Sequence, residues 1–264
     1  MLRPLAGFLA AAALRGLALF PADIIVALGT PFLPFYALTK PAVRRRLRHL
    51  PFPVSPLAYY RMRLRLAALS LRHLTGHMED APLRVEGEEH YLDALNGGKP
   101  VTLLGWHQGS VELLHRLPPA PRDGRPFFIF TRAGFTPALT SWLRRGRVQP
   151  GKRTVEASEQ PSALRAWVRR RGVLAVMLDQ VPGKPENWIS LWDGRFQIPF
   201  PKNLWDWIQE HEAVCLAVSA KLEKDSSVTF RYRPAGEETE FARALENAVA
   251  EAPEQYNWSY PKIR

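Results

Sequence analysis

The chain predicts an α/β protein, a mixed central sheet flanked by helices, preceded by an apolar helical region that associates with a membrane. Three observations carry this. After about residue 100, short apolar runs rich in β-branched and aromatic residues alternate with longer stretches of helical periodicity, the pattern of βα units. The 264 residues are 46% hydrophobic, enough for a sizeable core. Residues 5–38 are almost wholly apolar, unlike anything later in the chain. The expected division is 1–50 as the membrane-associating region and 51–264 as the body.

In the first region Arg15 and Asp23 interrupt the apolar run, and Pro21, Pro31 and Pro34 break any continuous helix. The uncharged stretch Ile24 to Thr39 is shorter than the roughly 20 residues a span requires, so a monotopic or re-entrant hairpin is expected. Arg15 and the continuing apolar run argue against a cleaved signal peptide. PFPVSP at 51–56 reads as a linker, Tyr59 to Leu74 as an amphipathic basic helix, and Gly76 to Pro82 as a loop. The body then reads as strand Val101–Trp106, strand Phe127–Thr131, helices Pro137–Arg147 and Pro161–Arg171, and strand Val173–Leu178. Helix Asn203–His211, strands Ala213–Leu222 and Val228–Tyr232, and helix Glu237–Ala250 complete the series.

The formal charge of +11 implies an anionic partner. Arg44, Arg45, Arg46 and Arg48 follow the apolar region directly, and Arg61, Arg63, Arg65 and Arg72 are interleaved with leucines, as suits a protein lying on an anionic membrane. A solvated helix face is the plainer reading of the same residues. The lone Cys215, in an apolar run, excludes an internal disulfide and reads as a buried thiol. No nucleic-acid motif, dinucleotide fingerprint, P-loop or serine-hydrolase elbow occurs, and no metal-ligand spacing. No nucleic-acid partner and no cofactor are therefore expected.

The chemistry centres on VTLLGWHQGSVELL at 101–114. His107 falls just past the end of a buried strand; Ser110 is placed to cap a helix opening at Val111. Five residues on a regular helix turn through about 140°, so His107 and Glu112 face each other only with a turn between them. Given that turn, the Glu112 carboxylate can hold one imidazole nitrogen and leave the other as a general base. Asp179 ends an apolar strand and should lie at the same sheet edge, and Arg132 stands at the end of its own strand there.

The segment VEGEEHYLDALNGGKPVTLLGWHQGSVELL resembles the bacterial lipid A biosynthesis acyltransferases, the lauroyl and myristoyl transferases, whose pattern "GxEHLxxA…GKGxxxxxxHxGNWE" holds a catalytic His and Glu. LDQVPG at 178–183 resembles the family's DQ motif, and the final PEQYNWSYPKIR its "PEQYxWxHRRxK" tail. The similarity spans roughly Arg84 to Arg264. It departs at Ser110 and Val111, which replace Asn and Trp, and at Ser259 to Ile263, where a basic pair is lost.

The resemblance implies a glycerolipid-acyltransferase-like fold and a membrane anchor. It implies catalysis by His107 and Glu112, with Arg132 and Arg147 binding phosphate or an oxyanion, Asp179 orienting one of these arginines, and Gln180 at the substrate. It also implies acyl carrier protein, or acyl-CoA, as donor and a lipid A precursor or related lipid as acceptor. The location would be the cytoplasmic face of the cell inner membrane. Two other functions fit the same residues: a thioesterase using the same base on water, and a non-catalytic protein that binds polyanions or anionic membranes. Trp188, Trp192, Trp205, Trp207, Phe196 and Phe200 form an aromatic region that suits an acyl channel, a membrane interface or ordinary core.

Overall fold

The computed structural model describes residues 12–76, 82–109, 111–112, 119–131, 145–180, 187–259 and 262–263. The amino-terminal region is a series of short helices: α1 (Ala12–Ala18), α2 (Ala22–Gly29), a 3-10 turn (Thr30–Phe32), α3 (Leu33–Leu38) and α4 (Pro41–Arg48). Proline sets these boundaries. It lacks an N–H and is tolerated only before or within a first turn, as at Pro21 before α2, Pro34 in α3 and Pro41 in α4.

Among the described residues no single helix is long and apolar enough to cross a membrane; α1 and the stretch Ala22–Leu38 meet that test only as a pair bent by 113°. One side of this region, with Ile25, Val26 and Leu33, is buried, while Leu19, Leu28, Phe32, Phe35 and Leu38 are exposed.

Helix α5 (Pro56–Leu74) starts where Ser55 caps it, the hydroxyl accepting from Ala58 N at 3.5 Å. It buries Tyr59, Tyr60, Leu66, Ala68 and Leu71. Not all its basic residues are a solvated face: Arg72 donates to the carbonyls of Ala18 (3.1 Å) and Phe20 (2.8 Å), satisfying the open end of α1. Leu33, Val43, Leu47, Tyr59 and Tyr60 share one core with Leu104 and Leu174 of the sheet, so apolar burial ties α3 and α4 to the body.

The seven-stranded sheet runs β1-β9-β8-β2-β5-β3-β4, from strands β1 (Leu83–Glu86), β2 (Val101–Gly105), β3 (Phe127–Phe130), β4 (Lys152–Val155), β5 (Val173–Met177), β8 (Val214–Leu222) and β9 (Val228–Pro234). Only β8 and β9 pair antiparallel; every other neighbour is parallel, which makes the sheet mixed. Helices α6 (Glu88–Asn96), α7 (Gln160–Arg169), α8 (Lys202–Glu210) and α9 (Glu238–Glu251) flank it. Strand β2 lies between β5 and β8 with all five residues buried, which is why it reads as an unbroken apolar run.

A second, antiparallel sheet of β6 (Trp188–Leu191), β7 (Phe196–Pro199) and β10 (Lys262–Ile263) has the order β10-β7-β6. The aromatic region around it is core: Phe196, Phe200 and Trp205 are buried, and Phe200 and Trp205 meet Phe241 of α9.

Candidate active site

Strand register builds the site. Residues 101–105 of β2 pair one for one with 173–177 of β5, ending at Gly105 opposite Met177, and Leu178 N still donates to Gly105 O at 3.0 Å. Two residues further along each parallel strand stand His107 and Asp179. They meet at the carboxyl edge, where open α/β sheets bind ligands. Nδ1 of His107 lies 2.7 Å from Asp179 Oδ1, and His107 N donates to Asp179 Oδ2 at 2.9 Å. Asp179 is only 1% exposed, whereas the His107 side chain is 26% exposed. An ionised carboxylate only accepts, so Nδ1 carries the proton toward Asp179 and Nε2 keeps its lone pair. Among the described residues Nε2 has no hydrogen-bond partner.

The tail of the chain fixes this loop from the other side. Asn257 N donates to His107 O at 2.9 Å, Gly109 N donates to Gln255 O at 3.2 Å, and Gln108 forms a bridge with Tyr256. Both backbone groups of His107 are therefore engaged. Gly109 is dictated by this approach, because its φ is +62° and a Cβ there would lie 1.9 Å from Ala220 O. Buried Gln108 accepts from Trp106 Nε1 (2.8 Å) and donates to Ala248 O (2.6 Å), locking the loop to α9. The tail is held in turn by Arg46 of α4, which donates to the carbonyls of Trp258 and Ser259, both at 2.9 Å. Tyr256 is buried, and its hydroxyl meets no hydrogen-bond geometry among the described residues.

The sequence reading assigned the imidazole to Glu112 and an arginine to Asp179, and the structure exchanges these partners. Asp179 holds Nδ1. Glu112 instead receives both arms of Arg147, from Nη2 to Oε1 at 2.5 Å and from Nε to Oε2 at 2.8 Å. The reason is geometric: the register sets Asp179 opposite His107, whereas Glu112 lies in a 3-10 turn directed at the arginine. Burial alone would lower the Arg147 pKa, but the hydrogen bonds and charge of Glu112 outweigh this and raise it. Two of its donors are thus committed to a side chain, and the bidentate pair makes Arg147 a brace beside the site.

Gln180 follows Asp179, half-buried and without a hydrogen bond among the described residues. Arg132, the cap Ser110 and most of the expected helix 137–147 lie outside the described residues. The missed contributions are those of Tyr256 and Asn257, whose only sequence signal was the tail motif itself.

Among the described residues no group of three His, Cys, Asp or Glu side chains is placed to hold a metal ion. A depression of about 400 Å³ over β9 and α9, lined by Glu86, Arg231, Arg233 and Arg243 among others, includes no residue of the His107 loop. Chemically, the site offers an oriented, partly exposed imidazole backed by a buried carboxylate, an arrangement able to activate a nucleophile. Comparison of the chain with protein-family models and with curated proteins finds no match.

Proposed function

We propose that the chain is a membrane-associated acyltransferase that moves a fatty acyl group from a carrier thioester to a hydroxyl of a lipid. The observation that carries this reading is the His107–Asp179 pair at the sheet edge, with Nε2 open. The proton on the acceptor hydroxyl passes to Nε2 as its oxygen attacks the thioester carbon. Asp179 stabilises the imidazolium so formed. Collapse of the tetrahedral intermediate breaks the carbon–sulfur bond, and the departing thiolate recovers the proton from Nε2. Arg132 is the residue we assign to the developing oxyanion or to a phosphate of the acceptor. The acyl donor is acyl carrier protein or acyl-CoA, and the acceptor a lipid A precursor or related glycolipid or amino-lipid. The resemblance of the His107, Asp179 and tail motifs to the lipid A transferases supports this choice, and the +11 charge suits an acidic carrier and an anionic inner-membrane surface.

The exposed side chains of α2, α3 and the turn between them are the membrane contact in this reading. Phe32 is 70% and Phe35 72% exposed, just ahead of the basic helix α4. Exchanging both for glutamate removes two apolar anchors of about 2 kcal/mol each, so sedimentation with anionic vesicles is expected to weaken by at least about tenfold.

Incubation of the protein with radiolabelled acyl carrier protein thioester and a membrane lipid extract tests the function. A labelled lipid is expected. Labelled free acid in its place identifies a thioesterase, and neither product with a range of donors leaves the protein a binder of anionic surfaces.

A further inference from the structure

We propose that Lys40, Arg44 and Tyr60 form a binding site for a phosphate group, that of an anionic lipid headgroup, between the apolar amino-terminal helices and the body. The inference rests on the membrane contact proposed above for α2 and α3, and not on the chemistry at His107.

The charge pattern is one-sided. From Ile24 to Met78 the chain carries nine lysine and arginine side chains and no aspartate or glutamate. Three of the arginines are committed elsewhere: Arg46 to the tail carbonyls, Arg65 to Ser226 and Asp23, and Arg72 to the carbonyls closing α1. Lys40 and Arg44 make no ion pair among the described residues. They stand one helical turn apart at the start of α4, Arg44 N donating to Lys40 O at 3.2 Å, so both belong to one face.

That face is built on tyrosines. Lys40 Nζ lies 5.5 Å from the centre of the Tyr36 ring, and Tyr36 meets the Tyr60 ring edge-on at 5.4 Å. Val43 and Leu47 of the same helix pack in one core with Tyr60. Two polar atoms here are buried without a hydrogen-bond partner among the described residues, Arg44 Nε and the Tyr60 hydroxyl. Tyr60 as a whole is only 4% exposed. A basic face made for water keeps its donors hydrated, whereas two buried orphans beside a lysine are what an anion satisfies. Burial pushes the Tyr60 hydroxyl up to about 12 against the opposing charge of Arg44, so the phenol remains a donor at neutral pH.

The location selects the ligand. Leu38, 62% exposed, stands two residues before Lys40, and Phe32 and Phe35 precede it. With these side chains in the acyl layer, Lys40 and Arg44 stand at the depth of the headgroup phosphates. Arginine offers a phosphate two donors at fixed spacing, lysine adds a point charge, and tyrosine a neutral donor suited to the interface.

The experiment sediments the full chain with phosphatidylcholine vesicles containing phosphatidylglycerol, comparing wild type with two double variants of equal charge, each first shown to be folded by circular dichroism. Lys40→Gln/Arg44→Gln alters the site, and Arg45→Gln/Arg48→Gln removes two exposed charges from the same helix. Both lose the same diffuse attraction to the surface. The site pair is expected to bind at least about tenfold more weakly than the control pair, because it also loses charge-assisted hydrogen bonds. Tyr60→Phe removes no charge and should weaken binding about fivefold, with thermal stability equal or higher. Inorganic phosphate at constant ionic strength should not release wild type from the vesicles; release assigns the same site to a soluble phosphate.

Equal losses in the two pairs overturn the proposal and leave α4 a diffusely charged face. If wild type does not sediment with these vesicles, the membrane reading falls, and the ³¹P resonance of inorganic phosphate decides the site by itself. Broadening by wild type that the site pair abolishes upholds it, and no broadening by wild type removes it.

Discussion

His107→Ala should reduce acyl transfer by about a thousandfold, the scale on which a positioned general base contributes. His107 is a loop residue, partly exposed, and its backbone bonds to Asp179 and Asn257 do not need the ring. The variant should therefore fold, with a melting transition close to wild type by circular dichroism. The loss should then appear in kcat, because in the proposed reaction the imidazole acts on the transferring proton and contributes little to holding the lipid or the thioester. A variant that keeps more than about a tenth of the wild-type rate would place the base elsewhere.

Asp179→Asn should cost nearly as much, about a thousandfold to ten-thousandfold, by a different route. The carboxylate serves two donors at once, His107 N at Oδ2 and Nδ1 at Oδ1. An amide has a single acceptor oxygen. The backbone N–H cannot change its role, so the oxygen goes to it and the NH2 group turns to the ring. Nδ1 must then accept, Nε2 carries the proton, and the base faces substrate in the wrong tautomer. The shape is almost unchanged, so this variant separates chemistry from folding. Its ring nitrogens, read by ¹⁵N resonance, should show the proton transferred from Nδ1 to Nε2.

The parts of the fold that were legible in the sequence are those with a strong one-dimensional signal. Strand β2 is buried on both faces and reads as an apolar run, and helices α7, α8 and α9 lie within two residues of their periodic patterns. Strands β1 and β4 passed unseen: LRVE is exposed throughout and KRTV is polar in three of its four residues, because both lie on the edges of the sheet. The hairpin of β6 and β7 was missed although its turn carries the pair Asp193-Gly194, where Trp192, Asp193 and Gly194 all adopt positive φ.

The site shows the same division. His107 could be located from its place at a strand end. Its partner could not, because a carboxylate five residues away is visible in the sequence while one 72 residues away is brought in only by strand pairing. Glu112 and Asp179 were both found, and only the three-dimensional register tells which one holds the imidazole.

The central claim is that Asp179 orients the catalytic base and Glu112 does not. It is tested most directly by measuring acyl transfer for wild type, Asp179→Asn and Glu112→Gln under identical conditions, each first shown to be folded. The account predicts that Asp179→Asn falls by at least about a thousandfold, while Glu112→Gln, which keeps an acceptor for Arg147, stays within about tenfold of wild type. Equal losses in the two folded variants, or a larger loss in Glu112→Gln, would contradict it and return the role of orienting His107 to Glu112.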